Sequence, residues 1–302
     1  MNHKVLYIVG NGFDLHHHIK SSYSDFGHYV KSADPVLYDT VEKYFSFGGN
    51  WSNLEEALGL FDADWLLEVS SHFLVSYSDE EWSDESHHDY QYEVEAVVTA
   101  LSNTLKRRFT IWVMTLQKQI TGSSSFSGPL LNLDRGARYL TFNYTSTLQR
   151  LYGVPPQNVL HIHNEAVSEE SDLVLGHARN PGCMSSRNDI PGIEDQNIRI
   201  TEANEIIDRY FSDTYKPTKE IIAKHSAFFG NLKAAEQINV MGHSLSEVDW
   251  PYLMEIANNI EIDRVRWVVS YYHKTEIPEF ESLMANLGIR ASLTSFISIS
   301  HF

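Results

Sequence analysis

Four groups of polar residues stand immediately beyond apolar, β-branched runs, where a buried strand hands its carboxyl end to a ligand. Asn11 and Asp14 follow Val5–Val9, Asn143 follows Arg138–Phe142, His163 follows Val159–Ile162, and His243 with Ser244 follows Ile238–Met241. An imidazole with an ordinary pKa of about 6.5 exchanges a proton near neutral pH. An asparagine orients a hydroxyl or a water, and a carboxylate accepts from ribose hydroxyls. Gly10 and Gly12 let backbone approach where a side chain would block it, which suits nucleotide phosphates. The first turn, Gly10-Asn-Gly-Phe-Asp14, lacks the full G-x-G-x-x-G fingerprint because Leu15 occupies the third position.

Each residue also has a plainer role open to it. Gly-Asn-Gly makes ordinary tight turns. Asn143 has the chemistry to cap a helix beginning near Thr145, and Ser244 and Ser246 to cap the helix after them, with Asp249 suiting its dipole. His161 and His163 alternate, so in a strand both face one way, and either fits a satisfied core position. The pair, with His177, His243, Asp14 and Asp249, also offers donors for a metal, although the spacing matches no tight ligand motif. His16-His17-His18 and His87-His88 read as surface runs, and Ser52 with Glu55 has capping-box spacing.

These residues need a scaffold that brings strand ends together. Strand-like segments at Val5–Val9, Arg138–Phe142, Val159–Ile162, Leu173–Leu175, Ile238–Met241 and Val265–Tyr271 alternate with helical patterns. That alternation predicts an α/β fold with a doubly wound, mostly parallel, Rossmann-like sheet, whose strand ends share one edge. Ser21 to about Phe47, a helix from Trp51, and Tyr90 to Ile120 read as helical, so about 20–125 forms a helical layer or insertion. The stretches Ser78–Asp89, Gly122–Gly128 and Arg179–Asp195 read as loops, the last a candidate lid, and Thr201–Leu232 as mostly helix. With no clean linker, residues 1–302 read as one domain.

The formal charge is −17 at pH 7, which disfavours sequence-independent nucleic-acid binding. The basic cluster Lys106-Arg107-Arg108 sits in an amphipathic stretch and reads as a solvated helix face. One cysteine, Cys183, excludes an intramolecular disulfide and a thiolate-rich zinc site. No apolar run approaches the roughly 20 residues that cross a bilayer, and the reading is a cytoplasmic protein without membrane contact.

The ordered motifs resemble those of the AbiH family of bacterial abortive-infection proteins. They are Ile8-Val-Gly-Asn-Gly-Phe-Asp-Leu15, Ser22-Tyr-Ser-Asp-Phe26, Trp51-Ser-Asn-Leu-Glu55, Thr141-Phe-Asn-Tyr-Thr145, His161-Ile-His163, Leu175-Gly-His177 and Met241-Gly-His-Ser-Leu-Ser-Glu-Val-Asp249. A more distant similarity is to sirtuin-like domains of anti-phage proteins, which bind and often hydrolyse NAD. That resemblance implies an NAD glycohydrolase effector, with His163 and Asn143 catalytic and NAD the substrate rather than a prosthetic group. It implies phosphate at Gly10, Asn11 and Gly12, with Asp14 orienting the loop or binding ribose. It matches Gly242 to Asp249 with the Gly-x-Ser-x-x-Asp segment that closes the nucleotide site, with His243 and Ser244 at the second ribose or the adenine side. The usual His-Gly is here His163-Asn164, and the zinc ribbon of deacylating sirtuins is absent. A nucleotide sensor without turnover and a metal-dependent nuclease or phosphodiesterase stand as the other readings, with a homo-oligomer or a defence protein as candidate partner.

Overall fold

The computed structural model describes residues 4–45, 47, 50–74, 86–122, 130–189 and 197–302. The chain divides into two compact units. One comprises Met1–Ser22, Thr110–Val174 and Pro217–Phe302; the other comprises Tyr23–Phe109 and Leu175–Lys216.

The first unit is a doubly wound α/β sheet. Its strands are β1 (Val5–Val9), β2 (Arg138–Thr141), β3 (Val159–His161), β4 (Gln237–Met241), β5 (Arg266–Tyr271) and β6 (Thr294–Ser298). They lie in the order β3-β2-β1-β4-β5-β6, and every neighbouring pair is parallel. β1 is central because its residues tolerate burial on both faces. Leu6 and Ile8 join Leu140, Val240, Trp267 and Leu253 on one side. Tyr7 and Val9 join Phe13, Tyr139, Met241 and Tyr152 on the other. Each fully buried aliphatic side chain contributes about 1.5–3 kcal/mol relative to exposure.

The chain winds from β1 to β2 and β3, then returns to place β4 on the opposite side of β1. Strand order therefore reverses between β1 and β4, and in such sheets the crevice for a ligand opens at the carboxyl ends of those two strands. The paired ends are Val9 and Met241.

Two strand expectations need correction. Leu173–Leu175 is not a strand: Val174 gives its N–H to the His163 carbonyl (3.0 Å) and its carbonyl accepts from the Tyr144 hydroxyl (2.7 Å). β6, in turn, has no counterpart in the sequence reading, since Thr294-Ser-Phe-Ile-Ser298 contains no continuous apolar run.

The second unit is helical. The segment expected as helix from Ser21 to Phe47 breaks at Asp34-Pro35 into Tyr23–Ala33 and Pro35–Tyr44, with the Asp34 carboxylate accepting from the Leu37 N–H (3.2 Å). The next helix starts at Leu54, not Ser52. Its N-cap is Asn53, and Glu55 pairs with Lys216 (2.9 Å) instead of closing a capping box. Phe26 meets Trp51 and Phe109 edge-on, with ring centres 5.6 and 5.2 Å apart. Two of the sequence motifs thus build this unit's core. Asp89–Thr99, a π-helical turn at Ala100–Thr104 and the helix from Leu105 run on without a break, and Arg108 of the basic cluster pairs with Asp34 (2.9 Å). Parts of the expected loops, residues 78–85, 123–128 and 190–195, lie outside the described residues. Among the described residues no helix is long and apolar enough to cross a membrane.

Candidate active site at the β1 and β4 strand ends

At the end of β1 the chain turns into the helix Asn11–His16 with Gly10 as N-cap. A Cβ on Gly10 would lie 2.5 Å from the His243 Cα, and one on Gly12 2.8 Å from the Gly242 Cα. Gly242 has φ +59, and a Cβ there would lie 2.2 Å from the Phe13 nitrogen. The three glycines therefore let two backbone turns touch. Hydrogen bonds seal the contact: the Gly10 N–H donates to the Met241 carbonyl (3.0 Å) and the Gly12 N–H to the Gly242 carbonyl (2.7 Å). Asn11 is exposed, and its side-chain oxygen accepts from the Ser21 hydroxyl (2.6 Å).

One helical turn on, Asp14 is 1% exposed. The Thr145 hydroxyl donates to its Oδ2 (2.5 Å). Burial raises the carboxyl pKa to about 6, while hydrogen bonding from Thr145, Thr147 and Asn143 opposes the rise. Asn143 does not cap a helix: Thr147–Tyr152 starts later, with Ser146 as N-cap. Its side chain serves Asp14, and its carbonyl accepts from His161 Nδ1 (2.9 Å).

Phe142 carries the next part of the site. Its ring centre lies 4.3 Å from the His243 ring and 5.3 Å from the His163 ring, and Tyr252 closes on His163 at 5.7 Å. The two imidazoles flank one carboxylate. His243 Nε2 is 3.5 Å from Asp249 Oδ2, and His163 Nε2 is 3.8 Å from Asp249 Oδ1. His243 Nδ1 accepts from the Leu245 N–H (2.8 Å), so its proton resides on Nε2, toward Asp249. Leu245 reaches that nitrogen by adopting φ +56. Ser246 also approaches Asp249 Oδ2, at 3.4 Å. Neither Ser244 nor Ser246 caps the helix Trp250–Asn258, whose N-cap is Asp249 without a side-chain bond, and Ser244 is exposed.

The expected placement of His161 and His163 on one face does not hold. β3 ends at His161, whose Nε2 accepts from the Gln149 amide (2.8 Å) beside Glu165, and whose pKa burial lowers. His163, two residues later, faces Phe142, Tyr252 and Asp249. Asn164 then takes φ +67 and turns its side-chain amide to the Asp172 carbonyl (2.7 Å). Asparagine here meets the left-handed geometry that glycine meets most easily.

His17, expected at the surface, is 2% exposed. Its Nδ1 donates to the Phe13 carbonyl (2.6 Å), and the Tyr152 hydroxyl donates to its Nε2 (2.6 Å) while accepting from the Leu131 N–H (3.0 Å). Burial lowers its pKa to about 4.

Gly10, Gly12, Asp14, Asn143, His163, Gly242, His243 and Asp249 are thus linked around one sheet edge, while Asn11 and Ser244 sit at its exposed margin. Thr145, Phe142 and Tyr252 belong to the same cluster and carry no separate sequence signal beyond their neighbourhood to Asn143 and Asp249. His177 is in the helical unit, where its Nδ1 accepts from the Arg179 N–H (3.1 Å) and burial lowers its pKa to about 4. Among the described residues no metal-type cluster of three or more His, Cys, Asp or Glu side chains is present.

No curated protein matches the chain. The family model described as bacteriophage abortive infection AbiH matches residues 6–271, a span that includes every motif named above and every residue of the cluster. This protein belongs to the AbiH family of bacteriophage abortive-infection proteins.

Proposed function

We propose that the protein is an abortive-infection effector that binds NAD or a related nucleotide and hydrolyses the bond between nicotinamide and ribose. The observation that carries this reading is His163 at the carboxyl edge of the sheet, packed by Phe142 and Tyr252 with Asp249 at 3.8 Å. A general base benefits from a fixed ring plane and a carboxylate near the imidazolium that it becomes, and the two aromatic rings and Asp249 offer these.

In the proposed reaction the C–N bond breaks with its electron pair passing to the nicotinamide ring nitrogen. Water then forms the new C–O bond at the ribose carbon, and its proton passes to His163. The positive charge that develops on the sugar falls near the Asp14 and Asp249 carboxylates. Asn143, fixed through its carbonyl by His161, orients the attacking water or a ribose hydroxyl. His243 and Asp249 support His163 in this scheme, rather than holding the second ribose or adenine.

A sensor without turnover is the competing reading, and the His163-Asn164 departure is its main support. Asn164 adopts the left-handed geometry and directs its side chain to Asp172, which weakens that support.

The test is incubation of the purified full chain with NAD, with free nicotinamide and ADP-ribose measured by chromatography. The wild type should release both in equal amounts, and His163→Gln should lower the rate by about 100-fold or more. Denaturant unfolding of the same variant controls for lost structure. Tight NAD binding with no release would leave the sensor; neither binding nor release would end the nucleotide reading.

A further inference from the structure

The amides of the first turn are already committed inside the protein. Of the four successive groups from Gly10 to Phe13, Gly10 donates to Met241 (3.0 Å), Gly12 to Gly242 (2.7 Å) and Phe13 to the Gly10 carbonyl (3.0 Å). In the facing turn the Gly242 N–H donates to the Ser270 hydroxyl (2.8 Å) and the Leu245 N–H to His243 (2.8 Å). A phosphate cradle requires several convergent N–H groups still open to the ligand. The helix that follows is six residues long, so few peptide dipoles align behind the turn. The glycines are explained by contact between backbones, with no ligand needed to account for them.

The side chains gathered at the edge point the same way. Asp14 and Asp249 are both carboxylates, and the chain carries a formal charge of −17. Carboxylates repel a pyrophosphate and attract a cation. Tyr144, half-buried with its ring centre 6.1 Å from the His163 ring, is an aromatic side chain of this edge within reach of a flat cationic ring, and the buried Phe142 and Tyr252 pack against His163. The ribose hydroxyls find acceptors in the same carboxylates.

We propose that this edge recognises its ligand by the cationic N-riboside half and requires no phosphate, so that nicotinamide riboside is the minimal ligand. This inference rests on the NAD-cleaving reading above and moves the pyrophosphate away from the Gly10–Gly12 turn.

The experiment is calorimetric titration of the full chain, as the His163→Gln variant to prevent turnover, with NAD, nicotinamide riboside and ADP-ribose in turn. Nicotinamide riboside should bind within about tenfold of NAD, and ADP-ribose, which lacks the pyridinium, at least about tenfold more weakly than the riboside. Asp14→Asn should weaken the riboside more than ADP-ribose, because both ligands keep the ribose hydroxyls and only the riboside carries the cation. ADP-ribose binding as tightly as NAD, with the riboside about 100-fold weaker, would overturn the inference while leaving NAD cleavage standing. Silence of all three ligands at about 1 mM would overturn the NAD reading itself, and this inference with it.

Discussion

The Leu245 N–H donates to His243 Nδ1 over 2.8 Å, and this single bond decides which nitrogen of His243 carries the proton. The proton is left on Nε2, directed at Asp249 Oδ2 3.5 Å away, and the other oxygen of that carboxylate faces His163. His243→Phe keeps a ring against Phe142 but has no proton to offer, whereas His243→Gln retains a donor. We expect turnover to fall about tenfold or more in the Phe variant and less in the Gln variant. Nitrogen NMR should also show His163 protonated on Nε2 in the wild type and in mixed tautomers in the Phe variant. Equal behaviour of the two variants in both measurements would remove His243 from this chain of contacts.

Asp14 and His17, three residues apart, give stability opposite pH slopes. Asp14 has its folded-state pKa raised from 3.8 to about 6, so its contribution is full below about pH 4 and is lost as pH rises through about 6. The loss amounts to about 3 kcal/mol. His17 has its pKa lowered from 6.5 to about 4, so its contribution is full above about pH 6.5 and is lost as pH falls toward 4. Relative to wild type, Asp14→Asn should be more favourable at pH 7.5 than at pH 4.5, and His17→Phe more favourable at pH 4.5 than at pH 7.5. Thermal melts across that range check both, and profiles parallel to wild type would refute them.

The contact between the two glycine turns sets a steric prediction. Gly12→Ala should cost about 3 kcal/mol, because its Cβ meets the Gly242 Cα at 2.8 Å. Gly242→Ala should cost more, since it adds φ +59 to a 2.2 Å approach. Gly230 is the control: it lies in a helix with nothing within 4 Å of an added methyl group, and Ala there should stabilise by about 0.5–1 kcal/mol. Urea unfolding ranks the three, and any other order contradicts the packing argument.

In the helical unit, Lys216 is fully buried and bonded to Glu55 at 2.9 and 3.1 Å. Glu55→Gln removes the carboxylate charge bonded to this buried ammonium and should cost about 3–5 kcal/mol. Adding Lys216→Met should recover much of that loss, because a neutral pair carries no uncompensated charge. A double-mutant cycle by denaturant unfolding reads the coupling, and simple additivity would show that the pair is not coupled.

The sheet is legible in the sequence wherever a strand is buried on both faces, since β1, β2, β4 and β5 each read as apolar runs. β6 escapes because an edge strand is only half covered and tolerates Ser295 and Ser298. Leu173–Leu175 misleads for the converse reason, as three apolar residues fill a loop whose backbone bonds go to His163 and Tyr144. Convergence at the edge is legible too, because parallel strands with one handedness place their polar ends together. The assignments within it are not. Spacing does not reveal that Gly10 and Gly12 spend their amides on Met241 and Gly242, or that a left-handed Leu245 locks a tautomer.

β1 pairs with β4 although β2, β3 and the helical unit lie between them in the sequence. Without the segment from β4 onward that side of β1 has no partner, and neither His243 nor Asp249 is there to join His163. A chain cut before β4 would therefore lose a neighbour of its central strand and half of the His163 cluster in one stroke.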